Sequence, residues 1–79
     1  MGVPRPDPAS YEATGHRRDL GLRIRALRRE RDWTQEKLAE AAVIDRSYLA
    51  DIEAGRRNPT LDVLWRISDG LSLTPKDLF

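Results

Sequence analysis

Thr34-Gln35-Glu36-Lys37-Leu38-Ala39-Glu40-Ala41-Ala42-Val43-Ile44-Asp45-Arg46-Ser47-Tyr48-Leu49-Ala50-Asp51-Ile52-Glu53-Ala54-Gly55 decides the fold of this chain. Its pattern is that of two short helices joined by a tight turn. Thr34 and Asp45 stand at the two N-cap positions, where a short side-chain oxygen accepts from the free amides of a first turn. Gly55 follows the second helix, where the chain leaves through a left-handed residue. Leu38 and Ala42 line the inner side of the first helix, Leu49 and Ile52 that of the second, at separations that share one helix face. Ala39 is small where the two helices would cross closely. The outer face of the second helix is polar and begins Arg46-Ser47.

The flanking segments read as further helices. Asp19 is placed to cap one that runs to about Arg31, with Leu20, Ile24 and Leu27 as its buried stripe. Gly21 costs that helix up to about 1 kcal/mol relative to alanine, which points to the close approach of another helix. Trp33 is placed to pack under the helix that begins at residue 35. Thr60 caps a helix over about 61–70 that buries Leu61, Leu64, Ile67 and Leu71 and exposes Asp62, Arg66 and Asp69. Thr74-Pro75, an N-cap followed by proline, opens a last turn that packs Leu78 and Phe79. With no strand pattern anywhere, the prediction is an all-α fold, a compact five-helix bundle. Pro4, Pro6, Pro8 and Gly15 mark residues 1–18 as a flexible N-terminal arm, leaving 19–79 as the folded domain.

Seventy-nine residues allow one domain. Without the N-terminal arm roughly sixty residues remain, a size at which only about 60% of the unfolded surface is buried. The chain has no cysteine for a disulfide and a single histidine, His16, so no structural metal is indicated. Association with a second copy is then a source of extra stability. No apolar run approaches the roughly 20 residues that cross a membrane, and the N-terminus lacks the apolar segment of a secretion signal. Met1-Gly2 is not followed by the serine or threonine of a myristoylation signal, because Pro6 stands there. A soluble, cytoplasmic protein is expected. The net charge is only +1, but its distribution is uneven: Arg17, Arg18, Arg23, Arg25, Arg28, Arg29 and Arg31 precede the central pair, and Arg56 and Arg57 follow it. One basic end suits docking on phosphates. Enzymatic chemistry has no support: the carboxylates are dispersed, no glycine-rich phosphate loop is present, and no cofactor or small-molecule ligand is indicated.

From about Leu20 to Phe79 the chain resembles the lambda-repressor/Cro type of helix-turn-helix domain. Asp45-Arg46-Ser47-Tyr48-Leu49, followed by Ile52-Glu53-Ala54-Gly55-Arg56-Arg57-Asn58-Pro59, is similar to the small controller proteins of restriction-modification systems. The resemblance implies that the second helix enters the DNA major groove N-terminus first. Arg46 would then donate to guanine O6 and N7, Ser47 would meet base edges or phosphate, and the Ala50 methyl would meet a thymine methyl. Asp51 admits two roles, a base reader that accepts from a cytosine amine or a plain surface acid beside Ser47. Gln35, at the start of the first motif helix, is placed over a phosphate. Tyr48 either reaches phosphate through its hydroxyl or packs against the neighbouring helix. Arg56, Arg57 and Asn58 suit phosphate contacts, whereas Arg23, Arg25 and Arg29 read as a solvated face.

By the same resemblance, Arg28 and Glu53 match a structural ion pair joining the first helix to the end of the third. Val43 departs from the family pattern, which has glycine in the turn. A β-branched residue there is strained by about 1–2 kcal/mol unless the turn takes another path. Trp65 falls about 100° from the centre of its helix's buried stripe, and with Leu73 and Phe79 it forms the apolar surface left for a homodimer. The expected protein is a transcription regulator that binds double-stranded DNA as a homodimer on a two-fold operator, in the role of restriction-modification controller. A repressor or antitoxin subunit of the same fold, and a helical interaction module without DNA binding, are the alternatives.

Overall fold

The computed structural model describes residues 13–79, with side chains from residue 15 onward. Four α-helices, α1 (Ala13–Glu30), α2 (Gln35–Ala42), α3 (Arg46–Glu53) and α4 (Leu61–Gly70), are followed by a 3-10 turn at Pro75–Leu78. Among the described residues there is no strand, so the all-α expectation holds, with the fifth helix reduced to that single turn. α1 packs on α3, α2 on both α3 and α4, and the closing turn rests on α1 and α4. Leu20, Ile24 and Leu27 of α1 meet Leu38, Ala39 and Ala42 of α2 and Leu49 and Ile52 of α3 in one core, which Ile67, Leu71 and Leu78 complete.

Each helix leaves through the same backbone device. Asp32, Val43, Gly55 and Ser72 follow the four helices with φ of 56, 57, 76 and 59°. Each donates its N–H to the carbonyl three residues back, at Arg29, Glu40, Ile52 and Asp69. The next residues, Trp33, Ile44, Arg56 and Leu73, donate to the carbonyls five residues back, at Arg28, Ala39, Asp51 and Ser68. This paired arrangement satisfies carbonyls that a helix end would otherwise orphan, and an apolar residue after the left-handed one commonly packs back on the helix. Trp33, Ile44 and Leu73 do pack against the core. Arg56 does not; it is exposed. Val43 therefore takes the left-handed path and carries its strain.

Several local expectations are corrected. Ala13 to Arg18, expected in the N-terminal arm 1–18, belong to α1, and Asp19 lies within that helix rather than capping it. The reason is tertiary: a Cβ on Gly55 would sit 3.0 Å from Arg18 Cα, so the chain after α3 packs on α1 at Arg18, before Leu20. The rest of that arm lies outside the described residues. Asp45 has an N-cap backbone but makes no side-chain cap bond, unlike Thr34 and Thr60, whose hydroxyl oxygens accept from the Lys37 and Val63 amides. In α4 the buried positions are Ile67 and Ser68, followed by Leu71, while Leu64 is half-buried and Leu61 exposed. A Cβ on Gly70 would lie 3.1 Å from the Ala41–Ala42 backbone, so α4 meets α2 closely at its C-terminal end, while Val63 and Leu64 of its first turn pack only partly against the core and Leu61 faces solvent. Leu78 is buried as expected, but Phe79 is exposed.

Gly21 meets its expected close approach. A Cβ there would lie 2.4 Å from the Ile52 carbonyl oxygen and 2.5 Å from that of Glu53. The α1 backbone thus rests directly on the end of α3.

Candidate nucleic-acid interface

α3 is fixed from beneath by Leu49 and Ile52, both fully inaccessible, and from its end by one buried charge pair. Arg28 Nε donates to Glu53 Oε2 at 2.8 Å and Arg28 Nη2 to Glu53 Oε1 at 2.9 Å, with both side chains nearly inaccessible. Arg28 Nη1 donates to the Trp33 carbonyl at 2.8 Å, so each guanidinium nitrogen is used. A bidentate, charge-assisted fork of this kind fixes both distance and orientation. Gln35, the first residue of α2, donates its amide to Glu53 Oε1 at 3.2 Å. α1 and α2 therefore both reach one carboxylate of α3, which holds α3 against the two of them.

The outer side of α3 carries the candidate contacts. Arg46 and Ser47 are exposed at its first two positions, with Ala50 half-buried one turn later. Asp51 turns its carboxylate to the loop after the helix rather than to Ser47: Oδ1 lies 3.7 Å from Arg56 Nη1 and Oδ2 3.9 Å from Arg57 Nε. The Arg57 guanidinium sits over the Tyr48 ring, 5.1 Å from its centroid. Tyr48 is half-buried against the core as well, so its ring packs on one side and supports an arginine on the other. Arg56, Arg57 and Asn58 are all exposed. The residues expected at a phosphate surface thus lie at both ends of α3, around the polar start and the basic exit.

Some arginines have roles that their sequence context concealed. Arg31 donates to the Leu27 carbonyl at 2.8 Å and to the Leu71 carbonyl at 2.9 Å, joining the ends of α1 and α4. Arg23 donates to the Asp77 carbonyl at 3.0 Å and anchors the closing turn. Arg25, read as part of a solvated face, lines a cleft with Gln35, Ala50, Glu53 and Ala54 on the outer side of α3. Its position three residues before Arg28, on the same side of α1, was the available signal. Of the residues expected at a dimer surface, Trp65 is 48% exposed and Phe79 is open to solvent, but Leu73 is half-buried against the core of its own chain. Leu61, one turn before Trp65 on α4, adds to the exposed apolar surface.

Among the described residues, no group of three or more His, Cys, Asp or Glu side chains could hold a metal ion. No described helix is long and apolar enough to cross a membrane.

The sequence pattern of the helix-turn-helix family matches residues 24–78. Control protein C.BamHI of Bacillus amyloliquefaciens is 42% identical over 60 residues, covering 75% of this chain and 74% of that protein. The immunity repressor protein of Bacillus phage phi105 is 50% identical over 54 residues, covering 68% of this chain but only 38% of the repressor. Among solved structures, the restriction-modification controller protein C.AhdI from Aeromonas hydrophila superposes with a TM-score of 0.81 at 34% identity, covering 82% of this chain and 98% of that one.

Proposed function

This chain belongs to the helix-turn-helix family of transcriptional regulators, of the lambda-repressor/Cro type, and we propose that it binds a two-fold DNA operator sequence-specifically as a homodimer. The observation that carries this reading is the placement of Arg46 and Ser47, exposed at the start of a helix that a buried Arg28–Glu53 fork holds in position. In this role α3 enters the major groove, Arg46 donates to guanine, and Ser47 and Ala50 meet neighbouring base edges. Gln35, the Tyr48 hydroxyl, Arg56, Arg57 and Asn58 contact phosphates on either side. Dimerisation uses the exposed apolar surface of Trp65, Leu61 and Phe79, beside the half-buried Leu73, and sets the two α3 helices about one DNA turn, roughly 34 Å, apart.

Control of a restriction-modification operon is the favoured sub-role. Its support is the likeness to C.BamHI and C.AhdI, which extends over most of both proteins. The phage repressor likeness supports repression of another promoter as the second reading.

The test is selection of binding sites from randomised duplexes, followed by gel shift on the enriched sequence. Two symmetric half-sites bound by two chains are the expected result. Enrichment of a lone half-site at one chain per duplex would remove the dimer, and no enrichment would favour an interaction module without DNA binding.

A further inference from the structure

Three of the four helix exits place an apolar residue where it turns back on the core; after α3 that position is Arg56, and Arg57 follows it. The main-chain bond from the Arg56 N–H to the Asp51 carbonyl, 2.9 Å, folds the loop back over the last turn of α3. This brings both guanidinium groups to one carboxylate. We propose that Asp51 is a positioning residue for Arg57 and Arg56, acting with Tyr48, and not a reader of bases. The assignment rests on the DNA-binding reading and names what Asp51 does within it.

Both carboxylate oxygens face the loop arginines, one each. A base reader would need an oxygen directed at a cytosine amine in the groove. The separations of 3.7 and 3.9 Å are longer than those of a tight fork, and the two arginine side chains remain 76% and 56% exposed. Their N–H donors are therefore oriented without being consumed. For Arg57 the constraint is two-sided: the Tyr48 ring covers one face of the guanidinium while Asp51 draws its Nε edge. What remains open is the rest of the planar fork, which matches a phosphate. An arginine already restricted in the free protein loses less freedom on binding. The cost of this arrangement is a carboxylate close to the phosphates, and at these exposed, loose separations its charge acts weakly.

The experiment is a double-mutant cycle in fluorescence anisotropy on the selected operator duplex, using Asp51→Asn, Arg57→Ala and the double variant. Asp51→Asn alone is expected to weaken binding about three- to tenfold, the scale set by ordering one long side chain. It should leave base preference unchanged and have a smaller effect once Arg57 is alanine, the remainder acting through Arg56. In the DNA-free protein, 15N relaxation should show the Arg57 Nε–H becoming more mobile in Asp51→Asn and in Tyr48→Ala. A changed preference at one base pair, or an equal loss in the Arg57→Ala background, would overturn the assignment in favour of base reading. Tighter binding in both backgrounds would show that the carboxylate only repels phosphate. Relaxation unchanged by either substitution would refute positioning even if the wild type enriched no duplex, so the two failures are separable.

Discussion

Gly21→Ala sets two opposing effects against each other, and the structure decides between them. Alanine improves the intrinsic helix propensity of α1 by about 1 kcal/mol. Against this, its Cβ would stand 2.4 and 2.5 Å from the Ile52 and Glu53 carbonyl oxygens. These are main-chain atoms of α3 and cannot rotate aside. Restoring an ordinary separation of about 3.5 Å requires the two helices to part by about 1 Å. The same movement stretches the fork two turns further along α1, where Arg28 meets Glu53 at 2.8 and 2.9 Å. At about 1 Å longer these would no longer be hydrogen bonds.

Overpacking alone costs about 1–3 kcal/mol, and a buried pair left uncompensated costs up to about 3–5 kcal/mol. With partial relaxation, a net loss of about 2–4 kcal/mol is expected after the propensity gain is subtracted. For a domain this small, each kcal/mol shifts Tm by about 4–8 °C. Thermal denaturation followed by circular dichroism at the helix band should therefore show a fall of at least about 8 °C. An unchanged or raised Tm would mean that α1 and α3 are not in backbone contact, and the account of how α3 is held would be wrong.

Val43→Gly acts in the opposite direction: relief of a left-handed β-branched residue gives about 1–2 kcal/mol, offset by about 0.5–1 kcal/mol of glycine backbone entropy. Because Val43 is 74% exposed, little burial is lost, and the urea midpoint should rise; a fall would show that its side chain contributes packing. Arg46→Ala should weaken operator binding by about 1–3 kcal/mol and relax preference at one base pair per half-site, read by site selection, and an unchanged preference would exclude Arg46 as a base reader. Trp65→Ala should raise the dimer dissociation constant by a factor corresponding to about 2 kcal/mol, measured by sedimentation across a concentration series; equal dimerisation would place the interface elsewhere. Asp77 is held below the ordinary carboxylate range by the Thr74 backbone N–H and then the Thr74 hydroxyl, both donating to its carboxylate, with Lys76 and Arg23 nearby. A lowered folded pKa gives stability that is present above the unfolded value and lost as pH falls through the folded one, so the deficit of Asp77→Asn should shrink on acidification, and a constant deficit would exclude this linkage.

The spans of α2, α3 and α4 were legible because their signals are local: threonines at 34 and 60 cap by their own hydroxyls, and Gly55 ends α3 through a left-handed turn. The exposed Arg46-Ser47 start was legible for the same reason, since it follows from the turn that precedes it. What was not legible depended on distant partners. Asp19 reads as a cap until Gly55 is seen against Arg18, which places a preceding turn of helix under the α3–α4 loop. Leu61 fits an apolar stripe whose burial is decided by where α4 touches α2. The exits at Asp32 and Ser72 were hidden by residue type, because glycine is the obvious marker of their conformation, and the exit at Val43 was visible only through the resemblance, which has glycine there. That shared exit also explains the partner of Asp51. The backbone that turns Trp33, Ile44 and Leu73 onto the core turns Arg56 over the end of α3, so the position of the basic loop is a consequence of main-chain geometry, and its charge is what the side chains at 56 and 57 add.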